Sequence, residues 1–261
     1  MIQILIVVPF PRTPDEVKLR QAQATYANLG SETRVTFRPV RAAPTGYLSQ
    51  FDAVLGDLAV LDIGLSAEEE GYDAVCVDTV SDAGVPALRS WLSIPVVSAG
   101  QAMFSTALTL GRRFSILTMW DAWRWFYEKT LADMSIHHHC ASIRAIGMEP
   151  DSRTLLTKKL NQAMPRLLDA AWKCVEVDKA DVICLGSTTM HQAHERLAEE
   201  LPVPVLNPGP LSYRFAEMLV GLELSQSRAA YPTPTTRDAG LVKVAMEAIM
   251  RKNSAAPSAE N

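Results

Sequence analysis

Short apolar runs rich in Val and Ile recur along the chain, and most of the segments between them have the spacing of amphipathic helices. Runs of this kind that alternate with helical segments are typical of βαβ units, whose strands lie parallel in one sheet. The pattern therefore predicts an α/β fold. Eight strands are predicted, at Ile2–Val8, Arg34–Val40, Ala74–Asp78, Pro95–Ser98, Phe114–Met119, Ala141–Ile146, Val182–Gly186 and Val203–Leu206.

The predicted strands divide evenly along the chain. Four precede residue 99 and four follow it, whereas the segment after residue 207 has helices but no clear strand. We therefore predict two Rossmann-like lobes with parallel four-stranded sheets, related by a pseudo-two-fold axis, with the active site in the cleft between them. A C-terminal helix can cover the first sheet, so the first lobe is assigned residues 1–98 plus 208–261 and the second lobe residues 99–207.

Two segments carry signals for where regular structure begins or ends. Thr13, Pro14 and Glu16 provide an N-cap, a first-turn proline and a capping-box partner, so they predict the start of the first helix. Gly30 is predicted to end that helix, because glycine readily adopts the left-handed conformation that closes helices. Residues 253–261 are rich in Ser, Ala and Pro without periodicity, and we predict a disordered tail there.

Composition and charge narrow the functional classes. The 261 residues are 48% hydrophobic and 21% charged, and the net charge of −4 argues against nucleic-acid binding, which needs a basic surface. No apolar run has the roughly 20 residues of a membrane span, and the N-terminal run lacks the flanks of a signal peptide. We therefore expect a cytoplasmic protein with four reduced cysteines, whose spacing matches no zinc site, so that no metal is expected.

Two of the predicted strands end in the same way. Cys76–Thr79 and Cys184–Ser187 each run from a cysteine to a hydroxyl residue three positions later, and further hydroxyl residues follow. Open α/β sheets bind ligands at the carboxyl ends of their strands. Two such ends that face one another would form a single active site between the lobes.

Sequence blocks along nearly the whole chain carry a family resemblance. In chain order they are Asp82–Gly84, Pro95–Val97, Arg113–Thr118, Val182–Ser187 with Met190, Val205–Pro208, Ala216–Leu222, Ser225–Arg228 and Tyr231–Pro234. In these blocks the chain resembles the aspartate/glutamate/hydantoin racemase superfamily, and within it the hydantoin and allantoin racemase branch. The resemblance implies cofactor-independent proton transfer in the cleft by two cysteines, one from each lobe.

The chain departs from the family pattern at both of these cysteines. Alignment of the flanking blocks puts Thr79 at the first cysteine position and Ser187 at the second. Cys76 and Cys184 lie three residues earlier, inside the predicted strands, and we interpret them as buried packing residues. The chemistry is therefore expected to differ from proton transfer by two thiols.

The catalytic candidates are Thr79, Ser187, His191 and Asp78. An alcohol is far less acidic than a thiol, so Thr79 and Ser187 cannot act as free bases near neutral pH. His191 follows Ser187 by four residues and could be its base on a shared helix face, although a solvated helix histidine is the favoured alternative. Asp78 ends a buried strand and could be a base whose pKa is raised by burial.

Substrate contacts are predicted on both lobes. Backbone N–H groups where strands lead into helices favour carboxylate or enolate oxygens, although Ser and Thr at such places also serve as N-caps. Where the family has Asn-Pro-Asn this chain has Val8–Pro11, which predicts a more apolar substrate. The aromatic cluster from Trp120 to Phe126 could wall a pocket or pack the core, and Thr118 matches a family position near the substrate. The predicted substrate-binding residues are Pro9, Phe10, Val80, Ser81, Thr118, Trp120, Thr188 and Thr189.

Three functional classes remain open. We favour a cofactor-independent enzyme that acts at a carbon alpha to a carboxylate or imide carbonyl through a stabilised enolate, by racemisation, isomerisation or decarboxylation. The second class is a hydrolase or lyase in which Ser187 or an activated water attacks, and the third is a binding protein without turnover. In each case the expected ligand is a small carboxylate or a cyclic imide or amide. Binding to nucleic acid or to a membrane is not expected. The protein is expected to form a homo-oligomer.

Overall fold

Two four-stranded parallel sheets with flanking helices form the fold in the computed structural model, which describes residues 1–44, 47–149 and 159–255. The predicted α/β class is confirmed, and all eight predicted strands are present. They are β1 (Ile2–Val8), β2 (Thr33–Pro39), β3 (Ala74–Val77), β4 (Val96–Ser98), β5 (Phe114–Thr118), β6 (Cys140–Ala145), β7 (Val182–Leu185) and β8 (Val205–Leu206).

Within the described ranges, α-helices connect the strands or cover the sheets. They are α1 (Pro14–Gln21), α2 (Gln50–Gly64), α3 (Val85–Trp91), α4 (Ala99–Leu110), α5 (Arg124–Asp133), α6 (Leu160–Glu176), α7 (His191–Glu200), α8 (Pro208–Gly221) and α9 (Gly240–Ala255). Short 3₁₀ segments lie at Ala22–Ala27, Asp121–Trp123, His137–His139 and Thr188–Met190. None of the helices in the described part of the chain is both long and apolar enough to cross a bilayer.

The two sheets have the same topology. Their strand orders are β2-β1-β3-β4 and β6-β5-β7-β8. In each sheet the chain goes from an inner strand to one edge and then crosses to the other side, so a switch point lies between β1 and β3 and another between β5 and β7. Ligands of open parallel sheets bind at such points, beyond the carboxyl ends of the strands. The repeated topology puts Thr79 and Ser187 just beyond equivalent strands, β3 and β7.

The inner strands are buried on both faces. Residues 4–8 of β1, all of β3 and all of β7 have no solvent exposure. Helices cover both sides of these strands, which explains why their sequences are continuous apolar runs without polar alternation. The strands are therefore rigid supports for the residues that follow their carboxyl ends.

Two helices link the sheets to one another. On α8, Tyr213 and Ala216 pack against β1 and β3 in one apolar cluster. On α4, Phe104 stacks on Phe114 of β5 with ring centroids 5.4 Å apart, and α4 also packs against α8. The layers from both sheets therefore meet in a shared apolar interior.

The first helix begins as predicted and ends earlier than predicted. Oγ1 of Thr13 accepts the N–H of Glu16, and the side chain of Glu16 accepts the N–H of Thr13, which confirms the capping box. The prediction that Gly30 ends the helix is wrong. The α-helix stops at Gln21, a 3₁₀ segment follows, and Asn28 makes the left-handed turn with φ of 48°. Asparagine tolerates that conformation at little cost, so it does not need glycine.

The residue at which the C-terminal tail was predicted to start is too early in the chain. Helix α9 continues through Ala255, two residues beyond Asn253, where the tail was predicted to start. Proline is the first strong helix-breaking signal in this stretch, and it comes only at Pro257. The rest of the predicted tail, residues 256–261, lies outside the described residues.

The buried inner strands make a stability prediction. Leu117 lies on β5 with no exposure, whereas Leu110 at the end of α4 is largely exposed. Leu117→Ala should lower the free energy of unfolding by about 2–5 kcal/mol, because it removes packed methyl groups and leaves a cavity. Urea denaturation monitored by circular dichroism measures the change. Leu110→Ala is the matched control and should change the value by less than about 0.5 kcal/mol, and equal losses for the two variants would contradict the assignment of β5 to the core.

Candidate active site

A cleft lies where the carboxyl ends of β1 and β3 face the carboxyl end of β7 and the start of α5. The space within it that the centres of water-sized spheres can reach is small, about 50 Å³. Both sheets contribute to its walls. The lining residues are Pro9, Phe10, Arg20, Tyr47, Asp78, Thr79, Val80, Ser81, Trp123, Phe126, Tyr127, Gly186, Ser187, Thr188 and Thr189.

The hydroxyl residues after β3 and β7 form the same local structure. Oγ1 of Thr79 lies 3.0 Å from Oγ of Ser81 and accepts the backbone N–H of Ser81 at 3.3 Å. Oγ of Ser187 lies 2.8 Å from Oγ1 of Thr189 and accepts the backbone N–H of Thr189 at 3.2 Å. Within each pair one hydroxyl donates to the other, so one hydroxyl proton per pair remains for a ligand. We call these two segments, Thr79–Ser81 and Ser187–Thr189, the hydroxyl turns.

Hydrogen bonds between the two sheets hold the hydroxyl turns close together. Oγ1 of Thr188 donates to the carbonyl oxygen of Asp78 at 3.1 Å. Nη2 of Arg20 donates to Oγ1 of Thr188 at 2.9 Å, and all three residues are buried. The residue before Thr79 is thus bonded to the residue after Ser187, so the two candidate catalytic residues stand on neighbouring segments of one cleft.

The side chain of Asp78 is part of a buried ion pair. Its carboxylate has no solvent exposure, and Oδ2 lies 3.0 Å from Nη2 of Arg20, which is 1% exposed. Nε2 of Gln23 donates to Oδ2 at 3.0 Å, and the hydroxyl of Tyr213 donates to Oδ1 at 3.4 Å. Both carboxylate oxygens are therefore occupied by donors. These contacts are those of a residue that positions Arg20, and they argue against the predicted use of Asp78 as a base.

The first hydroxyl turn is fixed from behind by helix α4. Asp82 adopts a left-handed φ of 58° and accepts hydrogen bonds from Oγ of Ser98 and from Nε2 of Gln101, the latter at 2.9 Å. Burial raises the pKa of this carboxyl. A Cβ atom on Gly100 would lie 2.6 Å from the carbonyl oxygen of Val80, so only glycine allows this approach of α4 to the turn.

Aromatic side chains form the apolar part of the cleft wall. The ring of Tyr47 contacts Phe10 edge to face with centroids 5.0 Å apart and lies 6.4 Å from the ring of Phe126. The Tyr47 hydroxyl donates to the carbonyl of Pro9 at 2.9 Å, so the polar end of this side chain is satisfied. Burial raises the pKa of Tyr47, which therefore stays neutral. The wall suits an apolar substituent next to the hydroxyl turns.

Most of the residues predicted for the site line this cleft. Thr79, Ser187 and Asp78 do so among the catalytic candidates. Among the predicted substrate contacts, those that line it are Pro9, Phe10, Val80, Ser81, Thr188 and Thr189.

His191 does not lie against Ser187 as predicted. The 3₁₀ segment Thr188–Met190 separates Ser187 from α7, so the spacing of four residues does not correspond to one helical face. The imidazole is 5% exposed and lies outside the lining, with its ring 6.4 Å from that of Tyr26. Burial, followed by the positive charge of Arg20, lowers its pKa to about 4. It is therefore a buried neutral group, neither the base of Ser187 nor a solvated helix residue.

Thr118 and Trp120 also lie outside the lining. Oγ1 of Thr118 is 2.7 Å from the hydroxyl of Tyr127, which itself donates to the carbonyl of Gly186 at 2.8 Å. Trp120 packs at the edge of the second sheet's core. The 3₁₀ turn Asp121–Trp123 follows it, and this turn together with α5 brings different aromatic residues to the cleft. Tyr127 and Trp123 line the cleft in this region, whereas Thr118 and Trp120 do not.

Sequence reasoning missed several lining residues, of which Arg20 is the most important chemically. Arg20 lies one helical turn beyond the capping-box residue Glu16 on the helix that follows β1. A cation on the first helix after an inner strand is the signal that could have identified it, since that helix begins at the switch point. Trp123 and Phe126 belong to the aromatic cluster for which a pocket wall was one of two expectations. The other lining residues that were not predicted are Tyr47, Tyr127 and Gly186.

The thiols of Cys76 and Cys184 lie outside the cleft. Cys76 and Cys184 have no exposure and pack inside the sheets, and burial raises the pKa of both thiols. Sγ of Cys76 donates to the carbonyl of Ser212 at 3.4 Å. Within the described ranges, no group of three or more His, Cys, Asp or Glu residues is arranged to hold a metal ion. The polar groups of the cleft are therefore hydroxyls, backbone groups and the Arg20–Asp78 pair.

Comparison with protein families gives a match over most of the chain. Residues 17–216 match the family model described as Asp/Glu/Hydantoin racemase. A hydantoin racemase from Rhizobium meliloti is 31% identical over 172 residues, which is 63% of this chain and 68% of that protein.

Solved structures agree with this match. An allantoin racemase from Pseudomonas fluorescens superposes with a TM-score of 0.82 and 28% identity, over 91% of this chain and 99% of that chain. A variant of arylmalonate decarboxylase in its liganded form gives a TM-score of 0.62 over 85% of this chain and 93% of that chain. Its identity is 19%, so the likeness extends to the fold alone.

The burial of the thiols predicts that they are dispensable for turnover. Cys76→Ala and Cys184→Ala should each keep activity within about threefold, because neither thiol reaches the cleft, while stability falls by about 1 kcal/mol or more from lost packing. Steady-state rates and urea denaturation measure the two effects separately. Iodoacetamide should not inactivate the folded protein, since buried thiols with raised pKa values react slowly. Loss of activity in step with alkylation of either cysteine would contradict this assignment.

The lowered pKa of His191 predicts a loss of stability in mild acid. The folded-state pKa of about 4 lies below the ordinary value of 6.5, so the unfolded chain binds more protons between these values. Stability is therefore fully present above pH 6.5 and falls as the pH drops towards 4. We expect about 2 kcal/mol lower unfolding free energy at pH 4.5 than at pH 7.5 from this group.

Urea denaturation at the two pH values tests this prediction. His191→Gln should remove the contribution of the imidazole and so make the difference between the two pH values smaller. The matched control is His194→Gln, one turn further along α7, which should keep the wild-type difference. An unchanged difference in His191→Gln would contradict the prediction.

Proposed function

Because this chain belongs to the Asp/Glu/hydantoin racemase family, we propose that it catalyses cofactor-independent chemistry at a carbon alpha to a carboxylate or imide carbonyl. The reaction is of the isomerase, racemase or decarboxylase type and passes through an enolate that the cleft stabilises. The observation that carries the proposal is the pair of hydroxyl turns, which lie after equivalent strands and line one cleft.

The hydroxyl turns stand where the family resemblance expects two cysteines. A thiol can lose its proton near neutral pH, especially beside a helix N-terminus. The alcohols of Thr79 and Ser187 cannot, so we assign them to hydrogen-bond donation and not to free-base proton abstraction. Donors held in fixed positions stabilise the oxygen on which an enolate develops its charge, without reorganisation during the reaction.

Racemisation and decarboxylation both pass through an enolate, but they differ in whether they need a base in addition to the hydrogen-bond donors Thr79 and Ser187. Racemisation removes a proton from one face of the carbon and returns it to the other, so it needs a base and an acid. Decarboxylation breaks the bond to one carboxylate, whose electron pair passes to the enolate while CO₂ leaves, and then requires one proton at the alpha carbon. A cleft that retains donors but lacks thiolate bases is therefore better suited to decarboxylation than to racemisation by two bases.

The hydrolase alternative lacks support in the contacts of Ser187. Nucleophilic attack by serine needs a base within hydrogen-bond reach of its hydroxyl. The hydroxyl of Ser187 pairs with Thr189, and His191 lies outside the cleft lining. We therefore do not assign Ser187 the role of a nucleophile.

Substitution of the hydroxyl turns tests the proposed function. Ser187→Ala and Thr79→Ala should each lower kcat by on the order of 10²-fold, because each removes a donor that acts on the developing charge. Release of CO₂ from an arylmalonate and incorporation of solvent deuterium at the alpha carbon of a 5-substituted hydantoin, followed by NMR, separate the two reaction types.

Ser105→Ala, on the exposed side of α4, is the matched control and should retain the wild-type rate. Full activity in both Ser187→Ala and Thr79→Ala would contradict the proposed roles. Absence of both reactions in the unmodified protein, together with tight ligand binding, would favour a binding protein without turnover.

A further inference from the structure

We propose that Arg20 anchors a carboxylate of the substrate, and that the cleft selects carboxylic acids over cyclic imides. The inference rests on the proposed function and narrows its substrate class. It also sets this chain apart from the hydantoin racemase to which it is similar. Two observations carry it: unused donors on Arg20 and the charges of the cleft lining.

Arg20 has hydrogen-bonding capacity that no described residue uses. Nη2 is fully engaged with Asp78 and Thr188. Nε and Nη1 are buried and have no partner among the described residues. A buried guanidinium N–H without an acceptor is costly, and such groups in folded proteins are normally satisfied by protein, water or ligand. Since Arg20 lines the cleft, an acceptor on the substrate is the partner that these nitrogens lack.

The charges of the lining allow an anion to bind beside Arg20. Arg20 and Asp78 are the two ionisable groups of opposite charge in the lining, and their charges offset one another. His191 behind them is neutral at neutral pH and adds no charge. A carboxylate bound at Nε and Nη1 of Arg20 therefore meets a positive group directly, because Asp78 contacts the third nitrogen, Nη2. Arginine suits carboxylates at such buried sites because its charge does not depend on pH.

Three backbone carbonyls of the cleft lining already accept hydrogen bonds from side-chain hydroxyls. The carbonyl of Pro9 accepts from the Tyr47 hydroxyl, that of Gly186 accepts from the Tyr127 hydroxyl, and that of Asp78 accepts from Thr188. The carboxylate of Asp78 is occupied as well.

The cleft therefore offers donors in excess. Each hydroxyl turn has one proton to give, and Arg20 has the N–H groups of two nitrogens. A carboxylate is acceptor-only and matches such a surface. A neutral hydantoin makes weaker hydrogen bonds to a guanidinium than a carboxylate does, because charge-assisted hydrogen bonds are the stronger ones.

Binding of two probes of similar shape tests this inference. The probes are 2-phenylpropanoate, an acid, and 5-phenylhydantoin, a cyclic imide, and isothermal titration calorimetry at pH 7.5 gives their Kd values. The acid should bind at least tenfold more tightly than the imide. Arg20→Lys should weaken binding of the acid by roughly 10- to 100-fold, because charge-assisted hydrogen bonds to the planar guanidinium are lost, and it should change binding of the imide far less.

A second variant, Arg20→Met, removes the positive charge and leaves Asp78 as an unpaired buried charge. Arg20→Lys avoids this problem because it keeps a cation beside Asp78. Lys18→Met, on the exposed face of the same helix, is the matched control for removal of a positive charge and should leave both Kd values unchanged. Thermal denaturation confirms that each variant is folded. If Arg20→Met does not fold, the preference of the unmodified protein and the Arg20→Lys variant still decide the question.

The outcomes separate this inference from the proposed function. Tighter binding of the imide, no binding of the acid, or an acid Kd unchanged in Arg20→Lys would overturn the inference, even if proton exchange or decarboxylation is observed. Arg20-dependent binding of the acid without any turnover would support the anchor and contradict the proposed enzyme function.

Discussion

The buried ion pair between Arg20 and Asp78 is the interaction on which the cleft depends. It joins the helix after β1 to the end of β3, and through Thr188 it reaches the segment after β7. A buried charge without its partner is strongly destabilising, whereas an intact pair often contributes little net stability. The pair therefore specifies an arrangement more than it stabilises the chain. Through these contacts it holds the two hydroxyl turns beside one another, and those turns carry the proposed chemistry.

The repeated sheet topology explains why one cleft contains two copies of the same turn. Each hydroxyl turn follows the strand beside a switch point, where neighbouring connections leave the sheet in opposite directions. Each has a hydroxyl that accepts an N–H two residues later and pairs with that residue's own hydroxyl. The halves differ in what lies behind the turn. The first is backed by α4 through Asp82, and the second leads through a 3₁₀ segment into α7. A symmetric pair of donors therefore sits in asymmetric surroundings.

The strands and the hydroxyl turns could be predicted because their signals are local. A continuous apolar run such as Ala74–Val77 indicates burial on both faces, and a hydroxyl cluster soon after it, at Thr79–Ser81, indicates a strand end. Arg20 could not be identified in this way, because its partners Asp78 and Thr188 are distant in sequence and meet it only in the fold. The possible pairing of His191 with Ser187 assumed one continuous helix, whereas a 3₁₀ segment lies between these two residues. Local patterns thus predicted most residues of the cleft lining, and tertiary contacts add the side chains that no local pattern indicates.

An arginine anchor limits which bond of a carboxylic acid could break in this cleft. Hydrogen bonds from Arg20 stabilise a carboxylate in the ground state, so they would slow the loss of that same carboxylate as CO₂. Decarboxylation in this site would therefore require a second carboxylate, placed away from Arg20 against the aromatic wall of Phe10 and Phe126. There its charge would lack polar partners, and dispersal of that charge into an enolate facing the hydroxyl turns would be favoured. Racemisation of a monoacid places no such demand on the wall but requires a base that the alcohols do not supply. The missing thiols thus favour loss of CO₂ over racemisation, and the proposed anchor would confine that reaction to acids with two carboxylates.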